Sequence, residues 1–276
     1  LYGYGDRHVS LPRAEAAVHR ALALDPESPE ALTALGYLHT GHEDGQQALA
    51  ALGRAAELRP GFADAHAWLC WLQLITGQRQ AALASARRTV ELNPRAPEAQ
   101  AHLALALSAE GDHVGGVAAV RRAGQLSAYA TAPLYEGLCR AEAARFEEAA
   151  AVLDPLTRGQ QEPDIAWTGR GAHATLVTVL AGMGHRTRAR QVLDEIDGRD
   201  HPFARGLGHL ALADEEAVDV LARVEVISAW PAIVLHHFHR ELWATLDSTA
   251  HDRLLEVARR SWRMPKGGEH SGVQPR

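Results

Sequence analysis

His66 and Cys70 stand four residues apart, so on a helix they share one face. An imidazole beside a thiol is the start of a nucleophilic pair. Such a pair also needs a depressed thiol pKa and a third group that orients the base. No orienting group stands nearby, so core packing is the expected role of both residues. A second concentration of chemistry is the run from Leu235 to Glu241. On a helix His236 and His239 could share a face, and His237 and Glu241 another, which is acceptable spacing for metal ligands. The run lacks the two-His-plus-Glu arrangement of zinc peptidases. With 16 histidines in the chain, a polar helix face is the expected reading. There is no phosphate-cradling Gly loop, no nucleophile elbow and no carboxylate pair in a catalytic setting. The expectation is a non-enzyme with no catalytic residue, no metal and no cofactor.

The elements that would carry these residues are helices. Apolar residues make up 46% of the 276 but aromatics only 5%, so alanine and leucine supply the hydrophobicity. Both lose little entropy in a helix. A net charge of −6 argues against direct nucleic-acid binding, which wants a basic face. The Arg-bearing end (Arg253, Arg259, Arg260, Arg263, Lys266) reads as a solvated face. No apolar run reaches membrane-spanning length and no signal peptide is evident. Cys70 and Cys139 make no disulfide framework, which fits a reducing, cytoplasmic compartment. A start at Leu1 instead of Met reads as a piece of a longer protein.

The helices come in a repeat. Pro26, Pro60 and Pro94 are spaced by thirty-four residues, each after a leucine and one further residue. Ser28-Pro29-Glu30-Ala31-Leu32 opens an Ala/Leu-rich segment that ends at Leu58-Arg59-Pro60, and a second copy ends at Leu92-Asn93-Pro94. Counting from Pro29, Leu32, Leu35, Gly36, His39, Ala48, Leu52, Ala55 and Pro60 occupy the large, small and proline positions of one unit. From Ala63, His66, Leu69, Cys70, Gln73, Ala82, Ala86, Thr89 and Pro94 repeat the order more loosely. From Pro97 it continues through Leu103, Ala104, Leu107, Gly116, Val120 and Ala123, with Ala128 in the place of proline. Small residues let two helices approach, large ones fill between them, and proline stops the second helix.

This pattern resembles the tetratricopeptide repeat. The resemblance implies an all-α, right-handed α-α superhelix, here with a C-terminal helical cap. The layout expected is a partial unit over 1–27, three units over 28–129, two to three degenerate units over 130–226, a helical cap over 227–263 and a disordered tail over 264–276. Ser10 and Pro12 are expected to start the second helix of the partial unit. Ser28 is expected to cap the next helix.

In that family the first helix of each unit lines a concave groove. Carried over, the groove positions are Thr33, Tyr37, Trp68, Trp71, His102, Leu105, Tyr135 and Leu138. Aromatic side chains there suit a protein or peptide with apolar side chains, because they bury much area for little entropy. The basic and amide residues that clamp a peptide carboxylate in chaperone-binding relatives are absent from these positions. Homo-oligomerisation is a further option. The phrases at Ala21–Pro26 and Ala65–Leu72, with the non-repeat cap, also resemble the C-terminal repeat region of large bacterial regulators. That resemblance implies the alternative of a sensor or oligomerisation module serving a separate N-terminal effector domain.

Overall fold

The computed structural model describes residues 7–41, 45–127, 131–158, 166–196 and 212. Among the described residues there are helices and no strands. They run α1 (Arg7–Leu24), α2 (Pro29–Gly41), α3 (Gly45–Leu58), α4 (Ala63–Ile75), α5 (Arg79–Leu92), α6 (Pro97–Ala109), α7 (His113–Leu126), α8 (Ala132–Glu142), α9 (Phe146–Thr157), α10 (Ala166–Gly182) and α11 (Arg186–Asp194). The expected all-α helical-repeat class is therefore what the chain adopts. The proposed cap, the tail, the degenerate region from 197 to 226 apart from Leu212, and the histidine run lie outside the described residues.

Local chemistry explains the helix starts. Ser28 caps α2, its Oγ accepting from the backbone N–H of Ala31 at 3.3 Å. Asp112 caps α7, with Oδ1 accepting from Gly115 N–H at 2.8 Å. Pro97 opens α6, where its missing N–H costs nothing. One start differs from expectation: the described part of α1, Arg7–Leu24, runs through Pro12 instead of starting at it. Proline there removes a single backbone bond, and its fixed φ is itself helical, so the helix can continue through it.

The stop signals are equally regular. Gly77, Gly111 and Gly184 have φ of 76°, 95° and 77°, and Ala144 takes the same left-handed conformation at 55°. Each sits between the two helices of a pair. The residue after each donates back five positions, as Gln78 N to Gln73 O (2.8 Å), Asp112 N to Leu107 O (2.9 Å), Arg145 N to Arg140 O (2.9 Å) and His185 N to Leu180 O (2.8 Å). Four successive turns therefore share one αL-terminated hydrogen-bond pattern.

Within pairs, helix separation is set by residue volume. A Cβ on Gly36 would lie 2.5 Å from Leu52 Cγ, and one on Gly137 would lie 2.5 Å from Leu153 Cγ. Both leucines are fully buried. In register, the second unit places Cys70 with Ala86 and the third Ala104 with Val120, all buried. In the first, third and fourth units a small residue is thus matched by a larger one, keeping the pairs close-packed. The core is continuous from α3 to α11, built of such Ala, Leu and Val residues. Two of the buried polar side chains are paired locally, Ser85 donating to Gln73 Oε1 at 2.8 Å and Thr89 to Ser85 O at 2.9 Å.

Candidate functional site: the inner helix layer

The packing separates two layers. Besides its chain neighbours, α2 packs on α4, α4 on α6, α6 on α8 and α8 on α10. No comparable packing joins α3, α5, α7 and α9 to one another. In a curved stack, helices that touch their second neighbours lie on the side of tighter curvature. The even-numbered helices are therefore the inner layer.

That layer carries the aromatic residues. Tyr37 on α2 meets Trp68 on α4 edge to face, with ring centroids 4.7 Å apart and planes at 61°. One turn on, Trp71 meets the His102 ring of α6 at 5.9 Å and 34°. All four side chains are half-buried, and both tryptophans rest on the core. Contacts of this kind are worth about 1 kcal/mol beyond area burial and hold the rings in place. The His102 Nδ1 is buried without a hydrogen-bond partner, and burial pushes its pKa down to about 4. Near neutral pH the ring is therefore a neutral aromatic surface.

The other expected groove residues lie deeper. Leu105 and Leu138 are fully buried, Tyr135 is 3% exposed, and Thr33 is 6% exposed with Oγ1 unpartnered. They are covered, not surface that a ligand meets first. The spacing of aromatics does not single out a further set, Glu30, Asp64 and Glu98. These stand at the second residue of α2, α4 and α6, and all are exposed. Their signal in the sequence is recurrence at the repeat interval.

With this geometry in view, comparison with solved structures is informative. The chain is similar to a tetratricopeptide repeat protein from Parabacteroides merdae ATCC 43184, at TM-score 0.61 and 15% identity, covering 90% of this chain and 92% of that one. The chain has the tetratricopeptide-repeat fold. Pseudomonas aeruginosa PilF (TM-score 0.49, 15% identity, 84% and 98% covered) and YrrB, described as "a TPR protein with an unusual peptide-binding site" (0.46, 17%, 73% and 95%), are also similar. No family model matches the chain, and no curated protein matches it in sequence.

In this tetratricopeptide fold the His66 and Cys70 pair does not assemble as a nucleophile. His66 Nε2 lies 3.1 Å from the carbonyl of Pro60. Cys70 is fully buried, its Sγ directed at the His102 carbonyl at 3.9 Å, and burial pushes its pKa far up. A thiol in that state is not a nucleophile. Cys139 is likewise free and buried, its pKa pushed up to about 12 by burial. Among the described residues no group of three or more His, Cys, Asp or Glu side chains is placed to hold a metal. No described helix is long and apolar enough to cross a membrane.

Proposed function

We propose that this chain is a non-catalytic scaffold that takes a segment of another protein on the inner face of α2, α4 and α6. The observation that carries the reading is the aromatic row, Tyr37–Trp68 and Trp71–His102, which runs across three successive helices of the inner layer and stays half-exposed. Rigid rings set on a packed floor offer apolar area with little ordering cost. A partner's apolar side chains would rest on Tyr37, Trp68, Trp71 and His102, with Thr33, Leu105, Tyr135 and Leu138 buried on the same inner helices and α8. The two free, buried cysteines fit a reducing, cytoplasmic setting.

The test compares wild type with Trp68→Ala/Trp71→Ala as bait in lysate of the source cell, read by quantitative mass spectrometry. Circular dichroism confirms that both are folded. A protein held by the wild type and lost from the double variant supports the inner face. Equal retention by two folded baits rejects it.

A further inference from the structure

Charge divides between the two layers. Together α2, α4 and α6 contain Glu30, Asp64 and Glu98 and no lysine or arginine. The outer helices α3, α5 and α7 contain six arginines (Arg54, Arg79, Arg87, Arg88, Arg121 and Arg122) against Glu57 and Glu91. One acid per first turn is what the helix dipole alone would favour. The dipole does not explain why three successive inner helices carry no lysine or arginine anywhere, nor why the acids share a face with aromatics. Asp64 lies one turn before Trp68, and Glu98 one turn before His102, so each carboxylate shares a helix face with a ring.

The chain itself shows what such a carboxylate takes. Arg59 donates to Glu30 at 2.6 Å while its guanidinium lies 5.0 Å from the centroid of the Phe62 ring. A cation is held there between a first-turn carboxylate and an aromatic side chain, a favourable arrangement on both counts. Glu30 is thereby occupied. Asp64 and Glu98 make no ion pair among the described residues, and each lies one turn before a ring of the aromatic row on its own helix.

We infer that the inner face takes an extended cationic–apolar peptide segment, whose arginine or lysine side chains pair with Asp64 and Glu98 while apolar ones cover the aromatic row. This rests on the reading of the inner face as the binding surface and adds the chemistry of the partner. Neighbouring helices in such a stack lie about 10 Å apart, and a polyproline-II-like chain advances about 3.1 Å per residue with about three residues per turn, so cations on one face fall about every third residue.

Three labelled synthetic peptides test this by fluorescence anisotropy: repeats of Leu-Thr-Arg, of Leu-Thr-Glu and of Leu-Thr-Gln. The arginine peptide is expected to bind tightest, and Asp64→Asn/Glu98→Gln to weaken it about fivefold. The outer-layer variant Glu57→Gln/Glu91→Gln, with the same change in net charge, is expected to leave it unchanged. Equal weakening by both variants means diffuse attraction and overturns the inference. So does tightest binding of the glutamine or glutamate peptide. If that binding still depends on Trp68 and Trp71, the inner face stands and only its charge preference falls. If no peptide responds to Trp68→Ala/Trp71→Ala, the inner-face reading falls as well. Size-exclusion of the chain alone covers the remaining occupant: concentration-dependent association abolished by Asp64→Asn/Glu98→Gln places a second copy there and overturns the peptide.

Discussion

Gly36 fixes how closely α2 approaches α3, because even a methyl group there would collide with Leu52. Gly36→Ala is therefore expected to cost about 1–3 kcal/mol, read as a lower urea midpoint at unchanged slope. Gly53→Ala, where nothing lies within 4 Å, is the control expected to show no loss. His102 brings a pH dependence of definite sign. Burial holds its folded pKa near 4, below that of an exposed imidazole, so between these values protons favour the unfolded chain. The stabilisation is complete above about pH 6.5 and is lost as pH falls toward 4, a change of about 1–3 kcal/mol. His102→Phe should flatten that slope in denaturation measured from pH 7 to 4. A residue of it should remain from His113, whose pKa burial also lowers against the opposing charge of Asp112. The cysteines give a simpler readout. Both are buried with raised pKa, so neither should react with a disulfide reagent in the native chain at neutral pH, and both should react in denaturant.

At the scale of the element, the four αL turns differ in a single respect: Ala144 stands where the others have glycine. A Cβ in that conformation is strained, so Ala144→Gly is expected to stabilise by about 1 kcal/mol, seen as a raised melting midpoint. Helix pairing was legible in advance because proline, small and large residues recur at the repeat interval, and that recurrence is what close-packed helices require. Ser28 as the cap of α2 was legible for the same reason. The start of α1 was not, since Pro12 permits a helix on either side of it. The site was legible in part. Register alone places Tyr37, Trp68, Trp71 and His102 on the inner helices. It does not say that Leu105, Tyr135 and Leu138 are covered, because burial depends on neighbours far along the chain. Nor did periodicity of apolar residues point to Asp64 and Glu98, whose meaning appears only once inner and outer layers are told apart.

Across the whole molecule, each helix packs mainly on its neighbours in the chain. Stability in such a stack is a sum of units and interfaces and need not be lost all at once. Hydrogen exchange should therefore be graded along the array, and Gly36→Ala should weaken protection in α2 and α3 while leaving α10 and α11 nearly unchanged. Uniform loss of protection would show a single cooperative block instead. The inner packing of α2 on α4, α4 on α6, α6 on α8 and α8 on α10 has a mechanical consequence. Along this rail the array behaves as a beam already closed on its compressed side. Bending it further inward forces overlap between helices in contact, whereas straightening it only forfeits weak dispersion contacts and meets no matching rail on the outer side. Its compliance is one-way: under load the stack can open and lengthen, but it resists curling any tighter.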